Sequence, residues 1–236
     1  DLLFDGAELA PLFRPEEVAR RRALIDPARR TDLPAGTADG GTMHLCAADG
    51  AGMAVSLIQS NAGGFGSGLF EPATGIGLHN RGLGFSVEKG HPAEYRPRQR
   101  PPHTLSPALV TRPDGTLAGV IGTMGGDSQP QFLLQILTRW LRHGATPGEA
   151  VAAHRWALSG RTNFDTWTDP GAVRVRIEAG VATTWQEGLV ARGHTVEVAP
   201  VEDHHGFGHA HLIARAEAGW AGAAEPRAEV GAAVGY

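Results

Sequence analysis

Gly40-Gly41-Thr42-Met43-His44-Leu45-Cys46-Ala47-Ala48-Asp49 is where this chain changes character. A Gly/Pro-rich polar linker, Pro34 to Gly41, ends there, and a short apolar run begins at a hydroxyl residue. A hydroxyl alone is a poor nucleophile at neutral pH. A threonine at a chain N-terminus is different, because its own α-amine can act as the base that activates it. Cleavage of the Gly41–Thr42 bond would make Thr42 such a residue. An ordinary loop-to-strand junction looks the same locally, so the rest of the chain carries the decision.

Working outward, Met43 to Ala47 and Met53 to Ile58 are apolar runs around Asp49-Gly50-Ala51-Gly52, which predicts a hairpin. A glycine-rich loop, Gly63 to Gly68, follows, and Ile76 to His79 reads as a further strand. Residues 86 to 107 are polar and proline-rich and predict an ordered surface loop. Ala108 to Thr111 and Leu117 to Gly122 flank Pro113-Asp114-Gly115, a second hairpin signal. Gly122-Thr123-Met124-Gly125-Gly126-Asp127-Ser128 then runs into a helix, Gln131 to His143, capped by Asp127 or Ser128 and stopped by Gly144. Thr146-Pro147-Gly148-Glu149 is a capping box with proline at the first helical position.

A third hairpin is expected for Val173 to Ile177 and Val181 to Thr184, then a short helix from Gln186 to Arg192 closed by Gly193. Strands are expected at Val196 to Val198, Ala210 to Arg215 and Trp220 to Ala223. Upstream, Pro15 to Ile25 predicts a helix, with Glu16 and Glu17 at its positive end. The order of strands, helices and strands is that of an α+β fold.

Composition excludes several roles. The chain has 236 residues, 42% of them apolar, enough for a sizeable core. It has no run of about 18 apolar residues that would predict a membrane span. A formal net charge of −4 with dispersed basic residues argues against nucleic acid. The single cysteine, Cys46, can form no internal disulfide and reads as a small strand residue, so the expected compartment is the cytoplasm. The start, Asp1-Leu2-Leu3, lacks an initiator methionine, and the chain reads as the C-terminal portion of something longer.

From about Phe13 to Tyr236 the sequence resembles the γ-glutamyltransferase-like family of N-terminal nucleophile hydrolases. The matching segments are Gly41-Thr42-Met43-His44, Val55-Ser56 through Phe65-Gly66-Ser67-Gly68, and Thr74-Gly75-Ile76 with His79-Asn80. Arg100-Pro101, Leu105-Ser106-Pro107-Ala108, Gly122 to Gly126, Pro226-Arg227 and Gly235-Tyr236 complete the series. The resemblance implies a four-layer αββα sandwich and a proenzyme that cuts itself before its threonine. Residues 42–236 would be the small, catalytic subunit, and residues 1–41 the tail of a large subunit. It implies Thr42 as nucleophile, Gly41–Thr42 as the cleavage site, and Gly125 and Gly126 as oxyanion donors. Ser60 would hydrogen-bond the nucleophile. It also implies a small amide substrate, the large-subunit portion as partner, a dimer of processed heterodimers, and no cofactor or metal.

Departures from the family pattern shape the expected substrate. The stretch Asn80-Arg81-Gly82-Leu83-Gly84-Phe85 has no carboxylate to grip a substrate ammonium, and Arg81 would repel one. Ala62 stands where an asparagine is usual, and His103 and Thr104 replace paired serines. The pattern resembles the lid-lacking branch that includes oxamate-amidohydrolase-like and acylase-like members. Asn80, Arg81, His103 and Thr104 are the candidate substrate-binding residues, suited to a small acidic or polar amide rather than glutathione. Two other readings stay open at this level. One is an uncleaved, inactive homologue; the other is metal-dependent hydrolysis at His204-His205-Gly206-Phe207-Gly208-His209-Ala210-His211, where His209 and His211 would share a strand face.

Overall fold

The computed structural model describes residues 14–23, 42–91, 93–159, 173–228 and 230–235. The chain divides into two compact units, residues 1–39 and 40–236. Gly41 and Tyr236 lie outside the described residues, as does the expected linker from Asp26 to Gly41. In the first unit, helix α1 (Pro15–Arg22) forms where Pro15, Glu16 and Glu17 favour a start.

The second unit contains eleven strands among its described residues. In chain order they are β1 (Thr42–Ala48), β2 (Ala54–Ser60), β3 (Phe70–Glu71), β4 (Ile76–Gly77), β5 (Ala108–Thr111), β6 (Leu117–Thr123), β7 (Trp156–Ser159), β8 (Arg174–Ile177), β9 (Val196–Val198), β10 (Ala210–Ala216) and β11 (Gly219–Ala223). Three helices accompany them: α2 (Gln129–His143), α3 (Pro147–Ala152) and α4 (Thr183–Val190).

Three packed layers position the site. The first is the β1–β2 hairpin, in register from Thr42 opposite Ser60 to Ala48 opposite Ala54. Its turn is closed by Asp49, whose Oδ1 accepts the Met53 N–H at 2.8 Å. The second is an antiparallel sheet in the order β11-β10-β6-β5. Helices α2 and α3 form the third, their buried Leu133, Ile136, Ala150 and Val151 packed with Ile121, Ala210 and Leu212 of the sheet.

Strand alternation in β6 explains how one sheet serves both neighbours. A Cβ on Gly119 would lie 2.5 Å from the Trp140 ring of α2, and one on Gly122 would lie 2.3 Å from His44 Nε2 of β1. The two glycines face opposite layers, and each makes room for a ring.

The capping box at Thr146 is present, with Glu149 N–H donating to Thr146 Oγ1 at 3.3 Å and Thr146 N–H donating to Glu149 Oε2 at 2.8 Å. Gly144 ends α2 in a left-handed conformation, φ 70°. Helix α2 begins two residues earlier than expected, at Gln129, and Ser128 occupies the cap position without a side-chain cap bond.

The third expected hairpin does not form. Val181 and Ala182 lie outside any strand and Thr183 starts α4, because β8 pairs antiparallel with β7 on one side and parallel with β9 on the other. With both edges taken, β8 has no ladder to offer the following segment. Strand β7 was not apparent from the sequence pattern.

Candidate active site

Thr42 opens β1 and Ser60 closes β2, and their register puts them directly opposite. Thr42 Oγ1 and Ser60 Oγ are 2.7 Å apart, a hydrogen bond in which either hydroxyl can donate. Ser60 Oγ also accepts the Ala62 N–H at 3.0 Å. With that N–H supplied, the serine hydroxyl is oriented toward Thr42. Ala62 itself has φ 73°, a left-handed conformation unusual for a residue with a side chain.

Asn80 ties this corner down. Its Oδ1 accepts the Gly63 N–H at 2.9 Å, and its own N–H donates to the Asn61 carbonyl at 3.1 Å. Gly66 is required nearby, since a Cβ there would lie 2.4 Å from the Leu78 carbonyl oxygen. Asn80 is thus a strut of the loop beside Ser60.

The stacking of layers brings a second element to the same end. His44 lies over Gly122, and Ser56 Oγ, opposite Cys46, donates to the Ile121 carbonyl at 3.0 Å. Moving from Cys46 through His44 toward Thr42 therefore follows β6 toward its C-terminal end, where Met124, Gly125 and Gly126 leave the sheet. Gly125 has φ 137° and Gly126 φ 54°, so both need the conformational freedom of glycine. They lead through a short 3-10 turn, Gly126–Ser128, into α2, and backbone N–H groups at such a place suit a developing oxyanion.

Gly126 also lines a cavity of about 170 Å³ with His103, Thr104, Ser106, Asp127 and Pro130. His103 Nδ1 accepts the Leu105 N–H at 3.2 Å, so the neutral ring carries its proton on Nε2 as a donor. Arg81 begins a 3-10 turn, Arg81–Gly84, directly after Asn80. Gly84 packs on Pro102, the position of a Cβ on it being 3.5 Å from the Pro102 carbonyl oxygen. That turn therefore links the Ser60 corner to the segment carrying His103 and Thr104.

The sequence profile described as gamma-glutamyltranspeptidase matches residues 1–235. The chain belongs to the gamma-glutamyltranspeptidase family. It is 36% identical over 230 residues to the oxamate amidohydrolase proenzyme of Klebsiella pneumoniae, covering 97% of this chain and 42% of that protein. It is 38% identical over 196 residues to the glutathione hydrolase-like YwrD proenzyme of Bacillus subtilis, covering 82% of this chain and 35% of that one. Among solved structures, the cephalosporin acylase from Bacillus halodurans superposes with a TM-score of 0.69 at 33% identity, over 98% of this chain and 40% of that one. The chain thus spans less than half the length of these relatives.

Behind the Gly125–Gly126 turn stands a buried charge cluster that no local sequence signal announces. Arg155 is fully buried and donates from Nη2 to Glu225 Oε2 at 2.7 Å. From Nη1 it donates to the carbonyls of Phe207 at 2.8 Å and Gly208 at 3.1 Å. Glu225 also bonds Arg227, which in turn bonds Glu178. Burial alone would raise the Glu225 carboxyl; Arg155 and Arg227 outweigh it and hold the group below its ordinary value. Gly208 presses on the turn, since a Cβ there would lie 2.6 Å from the Met124 carbonyl oxygen. Pro226-Arg227 was legible as a family match, but nothing local marked Arg155 or Glu178.

The described histidines of this stretch form two separate pairings. His211 pairs with His44, ring centroids 5.5 Å apart, while His209 Nε2 lies 3.1 Å from His205 Nδ1. Among the described residues no group of three or more His, Cys, Asp or Glu is placed to hold a metal ion. Burial, then the His211 charge, lowers the His44 pKa to about 4, and burial raises the Cys46 thiol to about 11, leaving it unreactive.

Proposed function

We propose that this chain carries the nucleophile of a self-processing amidohydrolase, acting through a Thr42 acyl-enzyme. The observation that carries the reading is the Thr42–Ser60 hydrogen bond at the open end of the β1–β2 hairpin. In maturation the Thr42 hydroxyl attacks the Gly41 carbonyl, the peptide nitrogen leaves as the new α-amine, and water resolves the ester. In turnover that amine, with an ordinary pKa near 8, takes the hydroxyl proton as Oγ1 attacks the amide carbon. Backbone N–H groups of Gly125 and Gly126 stabilise the oxyanion, the proton passes to the leaving amine, and water then hydrolyses the acyl ester. Transfer to another amine would proceed from the same ester.

The substrate class is read from the relatives and the pocket together. The relatives include, by name, an oxamate amidohydrolase and an acylase. The cavity beside Gly126, with its His103 and Thr104 donors, suits a small polar acyl group. We further infer that the remainder of the proenzyme covers the outer face of the β1–β2 hairpin. Met43, Leu45, Val55 and Leu57 are all more than two-fifths exposed there, and a helical layer on that face would complete a four-layer αββα sandwich.

Intact mass under denaturing conditions, on protein expressed from its full coding sequence, tests the reading. A fragment beginning at Thr42 is expected. A single uncut chain after long incubation would overturn it in favour of a silent homologue.

A further inference from the structure

The cavity beside Gly126 has two walls. One is the segment carrying His103, Thr104 and Ser106; the other is the turn and helix start carrying Gly126, Asp127 and Pro130. The first wall belongs to no helix or strand. Its Leu105 N–H donates to His103 Nδ1 and its Ser106 Oγ to the Thr104 carbonyl, both bonds within the segment. The Ser106 N–H reaches outside it and donates to Gln129 Oε1 at 3.1 Å.

Gln129 holds the second wall as well. It is the first residue of α2, and its own N–H donates to the Gly126 carbonyl. One residue thus ties Gly126 through its main chain and Ser106 through its side chain. That side chain is fully buried, and its Nε2 has no hydrogen-bond partner among the described residues. A buried donor left unmade costs more than one neutral hydrogen bond returns. An apolar side chain of the same length would fill the space without that cost, so stability does not account for the carboxamide.

Gln135, on the same helix, is the contrast. It too is buried, but both ends of its amide are bonded. Its Nε2 donates to the carbonyls of Trp156 at 2.8 Å and Gln131 at 3.0 Å, and its Oε1 accepts the Trp156 N–H at 3.0 Å. These bonds join α2 to β7 and reach neither wall of the cavity.

We propose that Gln129 is a positioning residue for the reaction. It fixes the wall of residues 103–106 against the Gly125–Gly126 turn, and so sets where an acyl group lies relative to the N–H groups that stabilise its oxyanion. This rests on the reading of Thr42 as nucleophile and of that turn as donor. A misplacement of about 1 Å at a reacting centre can cost about 100-fold in rate, so a single clamp between the walls is enough to matter.

The test compares Gln129→Met with Gln135→Met in the self-processed full-length protein. The acyl donor is p-nitrophenyl acetate, with Thr42→Ala as background. Gln129→Met should keep its urea midpoint, because the unmade donor goes with the Ser106 bond and the Ser106 N–H can turn to water in the cavity. It should also cleave itself to completion, since the chain itself delivers the Gly41 carbonyl. Thr42-dependent release of p-nitrophenolate should fall about 10- to 100-fold, in kcat rather than KM. Hydrogen exchange at the Ser106 amide should quicken about tenfold or more. Gln135→Met should lower the urea midpoint and leave kcat within about threefold. A Gln129→Met enzyme with wild-type kcat overturns the positioning role, as does one that loses kcat, midpoint and self-cleavage together. Unchanged exchange at Ser106 overturns the clamp. A self-cleaved wild type with no release above the Thr42→Ala background has no turnover to position, and the proposal falls. A wild type without a fragment beginning at Thr42 sinks the nucleophile reading instead, and exchange at Ser106 then decides the clamp alone.

Discussion

Thr42 and Ser60 meet hydroxyl to hydroxyl, 2.7 Å apart, because the β1–β2 register sets them opposite each other at the open end of the hairpin. Neither residue can drift without breaking that register. Thr42→Ala is expected to abolish both self-cleavage and amide hydrolysis, read by intact mass and by release of amine. Ser60→Ala removes the orienting bond to Thr42 together with the acceptor of the Ala62 N–H, and should lower kcat/KM by roughly 10- to 100-fold, the scale of a lost hydrogen bond to a reacting group. Equal effects from the two substitutions would contradict the division of roles.

Gly125 and Gly126, the proposed oxyanion donors, should respond differently to substitution. A Cβ on Gly125 meets the buried Phe132 ring at 2.8 Å, in a backbone conformation, φ 137°, that side chains rarely adopt. Gly125→Ala should cost about 2–4 kcal/mol and most of the activity. Gly126 has φ 54° with open space around it, so Gly126→Ala should cost only about 1–2 kcal/mol. Urea midpoints of the two variants make the comparison.

Ala62 is strained at φ 73°. A left-handed conformation costs a residue with a Cβ about 1–2 kcal/mol, while glycine loses about 0.5–1 kcal/mol more entropy on folding. The difference favours glycine. Ala62→Gly is therefore expected to raise stability by about 0.5–1 kcal/mol in chemical denaturation, with the Ser60–Ala62 N–H bond retained. A destabilised variant would show that the Ala62 methyl packs usefully.

Acid should loosen the contact between hairpin and sheet. His44 is buried with a pKa of about 4, against 6.5 when exposed. Between those values the unfolded chain binds a proton that the folded chain does not, so stability falls as pH drops from 6.5 toward 4. The loss from this group is at most about 3 kcal/mol. His211 beside it is shifted in the same direction, by burial, with Glu225 opposing. Denaturation of the wild type and His44→Gln at pH 7 and pH 4.5 should give a flatter pH dependence in the variant; parallel curves would rule His44 out.

The Arg155–Glu225 pair behind the Gly125–Gly126 turn gives the largest expected stability effect. Arg155→Met leaves Glu225 buried beside Arg227 alone and strips the Phe207 and Gly208 carbonyls of their donor. Removing one partner from such a pair costs about 3–5 kcal/mol. A thermal or urea transition close to that of the wild type would show that the remaining charges reorganise at little cost.

Much of this protein was legible in the one-dimensional pattern, because near neighbours decide it. Asp49 to Gly52 and Pro113 to Gly115 close hairpins through bonds a few residues apart, and Thr146 and Glu149 complete a capping box within one turn. Thr42 and Ser60 could be named as partners, and the ladder between them then sets their distance. The failed hairpin at Val181 to Thr184 has the opposite cause. Whether that segment joins β8 depends on β7 and β9, which lie beyond the reach of a hairpin turn in sequence and occupy both edges. Arg81 and Arg155 look alike as letters. Tertiary structure alone takes Arg155 fully out of water and gives it Glu225, while Arg81 has no carboxylate partner among the described residues, because desolvation and charge pairing are set by segments that meet only in space.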